Sequence, residues 1–183
     1  MHPADVAEYV GEQVEDLRAR FESGPDLGVR GVSLNGSELL IRFTKRERAL
    51  VKHAVPSALK GPGGSDVQIV YDVPDLGAKP QERELIVRFG CEDFDGQPPT
   101  AELLLADGKP LPGAQWPRDM ANGGIIQGHP HYGRHFFCRP GLREFHTHPQ
   151  HEDQPWDKYR ESMPLPAIVI GLLTDLRKRW TLN

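Results

Sequence analysis

Only two cysteines, Cys91 and Cys138, occur in 183 residues, so neither a disulfide framework nor a four-cysteine zinc ribbon can be built from this chain. No apolar run approaches the ~18 residues that a membrane-spanning helix needs. An excess of positive charge is also missing. Lys and Arg number 22 against 26 Asp and Glu, a net charge of -4, and no basic stripe offers a footprint for nucleic acid or an anionic membrane. The opening "MHPADVAEYVGEQ" has neither the basic nor the apolar region of an export signal, and a cytoplasmic location is expected. No internal repeat or low-complexity block appears. In a reducing compartment each thiol is a buried side chain, a nucleophile or a ligand. Cys91, closing the apolar run "LIVRFGC", reads as a plain buried thiol.

What is present reads as one α+β domain over residues 1–183. Val6, Val10, Val14, Leu17 and Phe21 recur at helical steps and make one apolar stripe, which Gly24-Pro25 stops. Strand signals follow. "VRGVSLNGSELLIRF" has two apolar arms around Asn35-Gly36, a strong hairpin signal, and "DVQIVYDVP" and Leu85, Val87 and Phe89 alternate as half-buried strands do. "AELLLADGKPL" supplies a further turn at Asp107-Gly108, while "KGPGGSD" and "FDGQPPT" read as connections. From Pro112 to Pro166 the chain is rich in Gly, Pro, His and Trp. Ile168, Val169, Leu172, Leu173, Leu176 and Trp180 then mark a closing helix, whose Arg177-Lys178-Arg179 suits the negative end of the helix dipole. The expected order is N-terminal helix, antiparallel β-meander, irregular stretch, C-terminal helix.

The irregular stretch carries the chemistry. Six of the eight histidines lie between His129 and His151, and residues 129–156 read as a metal-binding segment. Glu144, His146 and His148 stand at i, i+2 and i+4, so on an extended strand they would share one face and present a carboxylate and two imidazoles together. Cys138 joins them if Pro140, Gly141 and Leu142 form a three-residue loop. A two-residue loop would place it opposite Arg143, on the other face. A Cys-Glu-His-His set suits zinc. Four protein ligands make a closed structural site, whereas Glu144 acting as a base would leave an open position for water. His129, His131, His135 and His151 are expected to be surface or packing residues.

"FFCRPGLREFHTHPQHEDQPW" contains C-x5-E-x-H-x-H and resembles the bacterial family called the predicted metal-binding CEHH domain. The resemblance is strongest from about Gly123 to Trp180. It implies Cys138, Glu144, His146 and His148 as metal ligands, and a place beside ubiquitin-like proteins and their conjugation enzymes. The overall order also resembles ubiquitin-conjugating enzymes: a helix, a four-stranded meander, an HPN tripeptide, the active cysteine, a tryptophan, then helices. Here "HPH" at His129–His131, Cys138 and Trp156 fill those places, and His131 replaces the asparagine that helps stabilise the oxyanion in that family. The resemblance implies a ubiquitin-conjugating-enzyme-like fold with Cys138 at the thioester position.

"HTHP" is similar to the start of a JAB/MPN metalloprotease motif. The serine and metal-binding aspartate of that motif correspond to Trp156 and Tyr159, so peptidase activity is not expected. Two roles remain. One is a zinc-binding accessory component of a bacterial ubiquitin-like conjugation system, with a ubiquitin-like protein or its enzymes as partner. The other is an active enzyme of that system, either a Cys138 thioester carrier or a zinc-dependent hydrolase. A zinc-bound sulfur is poorly placed to carry a thioester, so the expected role is the accessory one. Phe94 and Trp116, apolar residues in loops, are candidates for a partner surface or for the core.

Overall fold

The apolar stripe of the first helix is buried as its spacing requires. In the computed structural model α1 runs Pro3–Ser23, and Val6, Val10, Val14 and Leu17 all enter the main core. Residues 3–181 are described apart from 25, 48–49, 61–65, 75–76, 78, 80, 95, 118–124 and 127. The strands are β1 (Val29–Asn35), β2 (Glu38–Glu47), β3 (Leu50–Lys60), β4 (Asp66–Pro74), β5 (Gln81–Gly90) and β6 (Thr100–Leu105). The short β7 (Ile125–Ile126), β8 (Phe136–Phe137) and α2 (Arg143–His146) follow, and α3 (Leu165–Thr181) closes the chain.

The main sheet is antiparallel, in the order β1-β2-β5-β6. Gly36, at φ 60, supplies the left-handed conformation that the tight β1–β2 turn needs. Along β5, Leu85, Val87 and Phe89 are fully buried and pack with α1 and α3 in one cluster. On α3, Ile168, Val169, Leu172, Leu173 and Leu176 are buried in the same cluster. Trp180, Lys178 and Arg179 have side chains outside the described set. The layout of N-terminal helix, four-stranded antiparallel sheet and C-terminal helix is the expected α+β one.

The meander differs from expectation in one respect. β4, the "DVQIVYDVP" segment, pairs with β3 in a separate two-stranded sheet and not with the main one. β3 carries Pro56, which has no backbone N–H to donate. A two-stranded ribbon, in which each strand has one edge unpaired among the described residues, tolerates that. The β3–β4 ribbon leaves the main sheet where β2 and β5 are still paired, at Glu47 opposite Gln81. "KGPGGSD" lies mostly outside the described residues. Phe94 and Trp116 belong to the core, at 4% and 6% exposure, so neither offers a partner surface. Cys91 is fully buried, and burial pushes its thiol up to about 12.

Candidate functional site

The segment from His129 to Trp156 folds as a knot of turns over one end of the main sheet. β8 brings Phe136 and Phe137 into pairing with Ile126 and Ile125, and Cys138 follows directly. Gly141 then turns the chain at φ 90, and residues 143–146 form a single helical turn. Leu142 and Phe145, three apart, are both buried, which is the pattern of a helix and not of a strand. Arg143 ties this turn to the sheet end, its N–H donating to the Pro99 carbonyl (2.9 Å) and its Nε to that of Pro98 (3.1 Å).

This turn overturns the extended-strand premise. On a helix, residues two apart point to nearly opposite sides, so Glu144 and His146 do not share a face, and His148 lies beyond the turn, where it caps the next one. Nor is there a hairpin that would set Cys138 opposite Glu144. Each expected ligand has a surrounding of its own.

Glu144 is fully buried. Its Oε1 accepts from the Ala101 N–H (3.4 Å) and lies 3.3 Å from Arg134 Nη2, while Oε2 is buried with no partner among the described residues. Burial is the largest influence and raises its carboxyl to about 7, and Arg134 partly opposes the rise. Arg134 also reaches Glu102 at 3.2 Å, and Glu102 pairs with Arg88, so the carboxyl ends a chain of ion pairs.

The histidines are fixed by their hydrogen bonds. His146 Nε2 accepts the Gly141 N–H (3.1 Å), so the ring proton sits on Nδ1 and donates to the Gln154 carbonyl (2.6 Å). His148 Nδ1 accepts the Gln150 N–H (3.2 Å) and caps the 3-10 turn Pro149–His151. His129 is 1% exposed. Its Nδ1 accepts the His131 N–H (3.1 Å), and its Nε2 donates to the Glu144 carbonyl (3.0 Å). Burial lowers the pKa of both His129 and His146. A neutral imidazole has one lone pair, and in each of these three rings a backbone N–H takes it.

Cys138 is 7% exposed and packs with Phe136 and Phe145. Its Sγ lies 3.3 Å from His151 Nε2. The His151 ring stacks on Phe145, 3.9 Å between centroids and 17° between planes, and its Nδ1 is buried without a partner. Burial raises the Cys138 thiol and lowers the His151 imidazole, and both directions favour a neutral pair at rest. His135 packs 5.5 Å from the Trp116 ring, away from the pair. His151, expected to be a bystander, is thus an imidazole within hydrogen-bond reach of the sulfur. Its spacing of thirteen from Cys138 carries no periodic signal, so only the fold brings the two together.

Zinc fits these residues poorly as they stand. The lone pairs of His146 and His148 are spent, and Glu144 is held by Arg134. Among the described residues no three His, Cys, Asp or Glu side chains are grouped to hold a metal. The arrangement offers instead one thiol against one imidazole in an aromatic pocket. No helix of the described residues is long and apolar enough to cross a membrane. No protein-family model matches the chain, and no curated protein matches it either.

Proposed function

We propose that the protein is an active component of a bacterial ubiquitin-like conjugation system, working in the cytoplasm, in which Cys138 accepts an acyl group as a thioester. The observation that carries this reading is the commitment of the neighbouring imidazoles to backbone N–H groups, which leaves Cys138 beside His151 and outside a ligand cage. The order of helix, four-stranded antiparallel sheet, "HP", Cys138, Trp156 and helix supports the conjugating-enzyme layout. Its partners are then a ubiquitin-like protein and the activating enzyme that delivers it. The test is a non-reducing gel with the cognate activating enzyme, the ubiquitin-like protein and ATP. A reducible adduct on wild type, absent from Cys138→Ser, is expected. Folded protein that forms no adduct removes the carrier role.

A second reading, a zinc-binding accessory component, draws on the C-x5-E-x-H-x-H resemblance and on one distance. Two donors on one tetrahedral zinc, at about 2.3 Å for sulfur and about 2.0–2.1 Å for nitrogen, stand roughly 3.5 Å apart. Cys138 Sγ and His151 Nε2 are 3.3 Å apart. Zinc would hold the sulfur as a thiolate and shield it from acylation. Elemental analysis decides between the two. About one zinc per chain, lost in Cys138→Ala together with melting temperature, favours the accessory role.

A further inference from the structure

We infer that His151 is the proton acceptor for Cys138, so that the two side chains form a thiol–imidazole catalytic pair. This rests on the reading of Cys138 as the acyl-accepting group. Sγ and Nε2 are 3.3 Å apart, and neither makes another hydrogen bond among the described residues. Packing aims the ring, because Phe145 stacks on it face to face. In the same segment, His129, His146 and His148 have given their lone pairs to backbone N–H groups, so His151 alone of these four keeps one for a proton.

The pair answers a difficulty that the burial of Cys138 creates. A sulfur in an apolar pocket reacts poorly as a thiol, and a nearby base that removes the proton during attack restores its nucleophilicity. In the step, Cys138 Sγ attacks the carbonyl carbon of an incoming thioester. A new S–C bond forms and the donor's C–S bond breaks. The proton moves from Sγ to His151 Nε2 and then to the departing thiolate, so charge and atoms balance without an oxidant or reductant. His151 Nδ1, which carries the ring's other proton, is buried without an acceptor among the described residues. The imidazolium therefore forms only in passing.

The experiment measures acylation of Cys138 in the full chain by a small alkyl thioester, beside alkylation by iodoacetamide, both read by mass spectrometry. His151→Gly should slow acylation roughly 100-fold, in the range usual for a lost general base. Added imidazole should restore much of the rate, and should do nothing for Cys138→Ser. Rescue of this kind separates a proton acceptor from a packing residue. His151→Gln, which keeps the ring's bulk, should be as slow and gain less from imidazole, and a melting curve confirms that each variant is folded. Should both variants unfold, slow acylation of wild type at a rate no greater than that of a free thiol would overturn the pair. Wild-type rates in a folded His151→Gly, or no rescue, would overturn it as well. A ubiquitin-like adduct on Cys138 that survives His151→Gly unslowed sinks the pair and leaves the carrier. His151-dependent acylation with no such adduct keeps the pair and sinks the carrier.

Discussion

Glu144 is the side chain on which its surroundings act most strongly in this segment, and it predicts a measurable pH dependence. Its folded pKa is raised to about 7 from an ordinary value of 4.5, so between these values the folded chain holds a proton that the unfolded chain has lost. The stability it contributes is fully present below about 4.5 and is lost as pH rises to about 7. Denaturant titrations of chelator-treated protein across this range should show that slope, and Glu144→Gln should flatten it. An unchanged slope in the variant would place the titrating group elsewhere. Gly141 supports a second prediction. At φ 90 an added Cβ would stand 2.9 Å from Ile168 Cγ1, so Gly141→Ala should cost about 1–3 kcal/mol by chemical denaturation. It should also disturb His146, whose Nε2 depends on the Gly141 N–H. At this scale the sequence was legible as to residue types and opaque as to roles. The cluster of histidines marks the segment, but which imidazole keeps a lone pair depends on backbone N–H groups that only the folded turns bring near.

Among the elements, those with enough length to express a period were readable. The stripe on α1 and the alternation on β5 coincide with the buried residues, and Leu17, fully buried, should cost about 2–5 kcal/mol when replaced by Ala. Tyr9 on the same helix is 37% exposed, and Tyr9→Ala should cost far less in the same denaturation experiment. α2 has four residues, too few to show a helical repeat, and "EFHTH" imitates the alternation of a strand. The pair that would have identified it is Leu142 and Phe145, three apart and both apolar. β3 is hard to read because Pro56 argues against a strand in a sheet interior, and among the described residues it pairs with β4 alone.

Taken as a whole, the molecule has a detachable part. β2 and β5 pair without interruption from Glu38 opposite Gly90 to Glu47 opposite Gln81, and the β3–β4 ribbon, paired with neither, lies between those two ends in the sequence. Replacing residues 48–80 by Asn-Gly, a two-residue hairpin turn, should leave the β1-β2-β5-β6 sheet, the core and the Cys138–His151 contact in place. Circular dichroism and a melting curve within a few degrees of the full chain are expected. Collapse of the shortened chain would mean that the ribbon helps to hold the sheet.

Two buried imidazoles that each receive a backbone N–H, His129 and His146, also act together as an acid fuse. Protonation of His129 or His146 removes the acceptor on which the chain near His131 or Gly141 leans. Burial depresses the folded pKa of His129 and His146, so the stability they lend is complete above about 6.5 and drains away as pH falls below it, opposite in sign to that of Glu144. In wild type the two slopes oppose each other. With Glu144 replaced by Gln, only the histidines remain to answer the proton, and the 129–151 turns should loosen first as the solution sours.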